Sequence, residues 1–279
     1  MNAVELKSQA RQCGADLVGI ASAGQWAEWS VDGNPRSILP KCQAVIVVGR
    51  RILRGAFRGV EEGTSFGNTY GMYGAQWQEH EFLSRVIHQT ASLLESAGAE
   101  AVPLFGGEAD GSRQVIGPAG VAANVKMDCK ALAHAAGLGS VGKGGFFLTR
   151  EYGHRQRFGM ILTDLALEGD PLVDLDFCSD CDACLKACPL RALSDAGRAP
   201  FDLDTQRCAV CANGKMTGQA NAYERLDRLA ASCGRACLVA LEDRVGNRFR
   251  APFRRRSVWT RDIDGKATVH PLPGQGVHA

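Results

Sequence analysis

The chain has no apolar run approaching the length of a membrane span, so no membrane-crossing helix is expected. Its first twenty residues carry charges throughout (Glu5, Lys7, Arg11, Asp16), which argues against a cleavable export signal. Arg50-Arg51 lies too deep to be a twin-arginine signal. An excess of either charge is missing as well. The 32 Lys and Arg against 30 Asp and Glu leave a formal net charge of +2, which argues neither for nor against a polyanionic partner. The expectation is a cytoplasmic protein with no membrane partner. At 45% hydrophobic and 22% charged residues, the composition is that of an ordinary soluble globular protein, and 279 residues suffice for one large core or two modest domains.

Cysteine is abundant. Eleven cysteines without an export signal read as reduced thiols and metal ligands. Cys178, Cys181, Cys184 and Cys188, followed by Pro189, form the spacing C-x2-C-x2-C-x3-C-P. This is the bacterial ferredoxin run, in which the first three thiolates take corners of one cubane and the fourth ligates a second cluster. Pro189 has no N–H and fixes the exit of the chain. Downstream, Cys208-x2-Cys211 and Cys233-x3-Cys237 look like a second run with an insertion between its second and third ligands. The crossing rule then predicts two 4Fe-4S clusters. One is held by Cys178, Cys181, Cys184 and Cys237, the other by Cys208, Cys211, Cys233 and Cys188. A single zinc on the second set is the alternative; it leaves Cys188 without a role, and Cys237 is followed by Leu238 instead of proline. The insertion, Ala212 to Ser232, contains a helix-like recurrence of Ala222, Leu226, Leu229 and Ala230. Cys13, Cys42 and Cys129 are expected to be small buried hydrophobes.

Elsewhere the pattern alternates helices and strands. Helices are expected over residues 3–13, 77–97 and 122–136, and strands over 44–48, 101–105 and 158–163. The glycine-dense stretch from Gly55 to Gly74 is expected to be an ordered loop. The whole reads as α+β: an α/β domain over 1–170, a double-cluster domain over 171–245 and an arginine-rich tail over 246–279. Between Arg244 and Arg261 there are seven arginines, with Phe249, Phe253 and Trp259 interleaved. Such a segment can bind RNA, or wrap its own domain and pair acidic surface such as Glu168, Asp170 and Asp174.

The segment Ala136–Leu190 reads AGLGSVGKGGFFLTREYGHRQRFGMILTDLALEGDPLVDLDFCSDCDACLKACPL. Its order resembles the epoxyqueuosine reductase family: an A-G-L-G-x-x-G-K turn, an L-T-x-E-Y-G-x-R-x-R-F stretch, an L-T-D-x-x-L strand, then the cluster domain. Reductive dehalogenases share this architecture more distantly. The resemblance implies a nitroreductase-like N-terminal domain, a ferredoxin-like second domain, and a base-off cobalamin whose cobalt takes electrons from the clusters. It also implies a low-potential donor (ferredoxin or flavodoxin) and a small-molecule or corrinoid-protein substrate. The chain departs from the family in three ways. No aspartate of a D-x-x-P-x-x-E pattern falls in Ala123–Cys129, the D-Y-H motif has only Tyr70 and Tyr73 near it, and no helical repeats follow. The expectation is a short paralogue that does not reduce epoxyqueuosine in tRNA, with nucleic acid not expected as a partner.

Within the segments that the resemblance selects, Tyr152 and Asp128 are the candidate acids. Gly137, Gly139, Gly142 and Lys143 are candidates for close backbone approach to a cofactor, with Lys143 placed for an anionic or propionamide edge. Arg155 and Arg157 would neutralise a reduced cofactor or an anionic substrate. The competing readings are a tight helix-to-strand turn for the glycines, and ion pairs with Asp164 or Glu168 for the arginines. His134 is expected to be packed and hydrogen-bonded.

Overall fold

The computed structural model describes residues 1–105, 125, 127–217, 224–248, 254–261 and 266–273. The chain divides into two compact units, neither contiguous in sequence. The first comprises Met1–Arg51, Glu79–Ser140 and Gln156–Asp174, and the second Ile52–Gln78, Val141–Arg155 and Leu175–Ala279. Three consecutive blocks were the sequence expectation. The segments 52–78 and 141–155 instead cluster with the cysteine-rich part.

The first unit is built on helix α1 (Ala3–Gln12), strands β1 (Leu17–Ser22) and β2 (Ala44–Arg51), helix α2 (Ser84–Ser96), strand β3 (Ala101–Leu104), helix α3 (Cys129–Ala135) and strand β4 (Gln156–Thr163). The Asn2 side chain caps α1 by accepting from the Glu5 N–H at 2.9 Å, while Glu5 and Arg11 complement the two ends of the helix dipole. The four strands form one antiparallel sheet in the order β1-β2-β4-β3. The apolar run Ala44–Val48 sits inside this sheet and is fully buried, as its β-branched composition requires. Pro103 is confined to the edge strand, where its missing N–H breaks no ladder. Leu6 and Ala10 of α1 and Val86, Ile87 and Leu94 of α2 pack on Ile20, Ile46, Val48 and Ile161.

In the second unit, two apolar clusters surround the helix Ser232–Leu241. One gathers Ile52, Phe57, Val60, Tyr70, Ala230 and Leu238; the other gathers Phe146, Leu148, Cys184, Cys233, Cys237 and Leu241. Strands Ser257–Arg261 and Ala267–Pro271 pair as an antiparallel hairpin. Helices and antiparallel sheet together make the chain a mixed α and β protein. Among the described residues, no helix is long and apolar enough to cross a membrane.

Several expectations are corrected. Gly55–Gly74 is helical on either side of a turn over residues 62–66: Arg58–Glu61 is an α-helix and Gly67–Gln76 a π-helix, secured by buried Phe57, Tyr70 and Ala75. Regular α-helix within 77–97 begins only at Ser84, after a π-helical turn over Gln78–Leu83. The helix expected over 122–136 runs Cys129–Ala135; residues 122–124 and 126 lie outside the described residues. Within the 212–232 insertion, Lys215–Thr217 pairs with Glu224–Leu226 as strands, so Leu226 belongs to a strand; Ala222 lies outside the described residues.

Candidate metal centre

All eight cysteines of the two runs lie in the second unit, and folding sorts them. Cys188 leaves its own run: it lines a cavity with Cys208, Cys211 and Cys233, together with Pro189, Leu190, Leu226, Arg228 and Ser232. The helix Ala183–Lys186 carries Cys184, and the helix Ser232–Leu241 carries Cys233 and Cys237 four residues apart. The neighbouring thiols acting on Cys237 most strongly are Cys184, Cys178 and Cys181. Cys211, in contrast, feels Cys188.

Burial and neighbouring sulfur together make these poor sites for uncompensated thiolates. Cys237 is pushed well up by burial and then by its neighbours. Burial, followed by Cys233, pushes Cys184 up to about 11. A buried array of thiolates needs cationic ligands to exist. Backbone N–H groups already point at the sulfurs: the Ala192 N–H donates to Cys188 Sγ at 3.2 Å, and the Lys143 backbone hydrogen-bonds Cys178. Among the described residues, no three His, Cys, Asp or Glu side chains form a single-ion site, while Cys188, Cys208, Cys211 and Cys233 line one cavity. The donor chemistry and the cradle therefore fit iron–sulfur clusters.

The glycine turn supplies part of that cradle. A Cβ on Gly142 would stand 2.8 Å from Cys178 Sγ, and one on Gly144 would stand 2.9 Å from Cys184 Sγ. Only glycine lets this loop lie on the sulfurs. Gly142→Ala and Gly144→Ala are each expected to cost on the order of 1–3 kcal/mol through overpacking and to lower iron content. Iron and acid-labile sulfide assays on the purified variants check this; wild-type contents in both would show that the sulfurs have room to move.

The other nominated residues are committed inside their own units. Gly137 has a φ of +69°, and a Cβ there would strike Pro171 O at 2.4 Å, so it serves a turn. The Gly139 carbonyl accepts from His134 Nδ1–H at 2.7 Å, which makes His134 the packed, bonded residue expected. Lys143 Nζ donates to Ser179 O at 2.8 Å. Arg155 is buried and donates to Ile52 O at 3.0 Å and Asn247 O at 2.9 Å. Arg157 pairs with Glu79 at 3.3 Å, a partner different from the two carboxylates suggested by the sequence. Asp128 caps α3 by accepting from the Lys130 and Ala131 N–H groups, and the Tyr152 N–H donates to Thr149 Oγ1. Tyr70 is buried with its hydroxyl donating to Asp227 at 2.9 Å, while Tyr73 is exposed against Trp77. His154, next to these motifs, is buried and donates Nε2–H to Gly234 O at 2.7 Å; burial lowers its pKa to about 4, so it is neutral at pH 7.

The epoxyqueuosine reductase of Gloeobacter violaceus is 30% identical over 232 residues, covering 74% of this chain and 64% of its own. That of Synechocystis sp. is 40% identical over 79 residues, 28% of this chain and 26% of its own. This chain is a relative of the epoxyqueuosine reductases. It spans less than two thirds of the length of these curated relatives. A solved catabolic reductive dehalogenase shares the fold, with a TM-score of 0.54 and 19% identity over 84% of this chain and 30% of its own. No family model matches the chain.

The arginine tail belongs to the second unit and packs there against the segment around Glu61. Glu61 accepts from Arg235 at 2.6 Å and from the Arg256 N–H, Ser257 Oγ donates to Val60 O, and Trp259 Nε1 donates to Val60 O at 3.0 Å. Among the described residues, the acidic partners of the tail within its own unit are Glu61 and Glu62, which the sequence did not point to. Phe249 and Phe253 lie outside the described residues.

Proposed function

We propose that this chain is an iron–sulfur oxidoreductase in which two crossed cysteine sets hold two 4Fe-4S clusters that pass low-potential electrons to a reducible acceptor. The observation that carries this reading is the cavity where Cys188 joins Cys208, Cys211 and Cys233 instead of the three cysteines of its own run. When bound, such clusters accept and release electrons one at a time at low potential. The residues of the chain do the rest. The thiols bind, the backbone N–H groups of Lys143 and Ala192 point at sulfur, and the surrounding Phe146, Leu148 and Leu241 keep water out.

The acceptor divides two readings. Kinship with epoxyqueuosine reductases and the fold shared with a solved enzyme of B12-dependent dehalogenation support a corrinoid or substrate held by the chain itself. The engagement of Gly137, Gly142, Lys143, Arg155 and Arg157 elsewhere favours the second reading, an electron-transfer protein that reduces a partner. A ferredoxin or flavodoxin would supply the electrons in either case. Reduction of epoxyqueuosine in tRNA is outside this reading because of the departures over 123–129, and turnover of such a tRNA would overturn that exclusion.

Anaerobically purified protein is expected to contain about eight iron and eight sulfide per chain. Four iron with one zinc would sink the two-cluster reading. Titration of the same protein with cobalamin then separates the two acceptors. A spectral shift at stoichiometric uptake selects the corrinoid-bearing reductase, and no uptake selects the partner-reducing protein.

A further inference from the structure

Within the second unit, Arg228 lies beside one cysteine set and bonds the loop that faces the other. Its side chain lines the cavity of Cys188, Cys208, Cys211 and Cys233. Its Nη2 donates to Gly144 O at 2.8 Å, on the loop whose Gly144 faces Cys184 Sγ. Its guanidinium lies 4.8 Å from the centre of the Phe146 ring, and Phe146 belongs to the apolar cluster with Cys184, Cys233 and Cys237. Arginine stays charged at any working pH. Arg235 also stands near Cys233, but Glu61 compensates it at 2.6 Å, whereas the hydrogen bond from Arg228 to Gly144 goes to a neutral carbonyl.

We infer that Arg228 is a positioning residue that pins the glycine loop over the Cys178–Cys184 set and raises the reduction potential of the centre held by Cys188, Cys208, Cys211 and Cys233. This rests on the two-cluster reading above. Reduction adds one electron to the centre, supplied in a titration by dithionite, and makes it more negative by one charge. A fixed cation beside the cavity stabilises that reduced state more than the oxidised one, so the potential rises.

The test uses the full chain, purified anaerobically, with Arg228→Met and Arg228→Lys compared by iron content and by redox titration followed by EPR. Arg228→Met is expected to lower one midpoint, namely the one whose signal disappears in Cys188→Ala, and to move the other less. Arg228→Lys keeps the charge and is expected to restore the midpoint. Loss of about four iron in the methionine variant with retention in the lysine variant supports the same role, since it shows that the cavity needs the charge. The inference is overturned if the methionine variant leaves both midpoints in place, moves them equally, raises the Cys188-linked one, or if all substitutions lose iron alike. Wild-type protein with four iron and one zinc overturns the two-cluster reading itself, an outcome distinct from full iron content with unmoved midpoints.

Discussion

Cys188→Ala is expected to remove about four of about eight iron atoms, and the four lost belong with the downstream cysteines. In sequence Cys188 stands four residues after Cys184, and the ferredoxin crossing rule assigns it to the downstream set. In the fold it lines the same cavity as Cys208, Cys211 and Cys233, and Ala192 donates an N–H to its sulfur. Additivity of iron loss decides the partition without any need to tell the clusters apart by spectrum. Cys188→Ala combined with Cys208→Ala should lose no more iron than either alone, because both remove the same centre. Cys188→Ala combined with Cys181→Ala should lose nearly all of it. The reverse pattern would assign Cys188 to its own run and refute the crossed sets.

The cysteine pattern was legible because a cluster demands local geometry. Two- and three-residue gaps put thiols on one loop or helix turn, and that requirement is written in spacing. Strand β2 was legible for a similar reason, since a run of Val and Ile bounded by glycine has few uses besides a buried strand. Helicity over residues 58–76 was hidden. Glycine lowers helix propensity, and the segment is stabilised instead by Phe57, Val60, Tyr70 and Ala75 packing against Ala230 and Leu238, which are more than 150 residues away in the chain. The glycine turn is legible as a place of close backbone approach, but only the fold shows that Gly142 and Gly144 face sulfur. Arg228 carried no signal: it falls in a stretch whose apolar recurrence suggests a helix, and its partners lie in a loop some 80 residues earlier. Docking of the tail was half legible. Arginine density implied acidic partners, but their identity depends on a long-range fold.

Glu61→Ala is expected to destabilise the protein by about 3–5 kcal/mol, the cost of leaving a buried charge without its counter-ion. Glu61 and Arg235 are both fully buried and meet at 2.6 Å across 174 positions of sequence. Burial pushes the Glu61 carboxyl up and the Arg235 guanidinium down, each opposed by the partner's charge. Arg235 also donates to Ser257 O at 2.8 Å, while the second oxygen of Glu61 accepts from the Arg256 N–H. One carboxylate therefore joins the cysteine-bearing helix Ser232–Leu241 to the tail strand Ser257–Arg261. Removing it leaves Arg235 buried beside Cys233 with no counter-charge and frees the strand's first residues. Two measurements should move together: a lower apparent urea midpoint under anaerobic conditions, and faster tryptic cleavage after Arg254–Arg256. A paired replacement, Glu61→Leu with Arg235→Met, removes both charges at once and should recover much of the midpoint, because the penalty lies in the orphaned charge. The paired variant should still release the tail, since Arg256 loses its acceptor either way. Equal destabilisation in the single and paired variants would mean that shape at this site, not charge compensation, holds the helix and tail together.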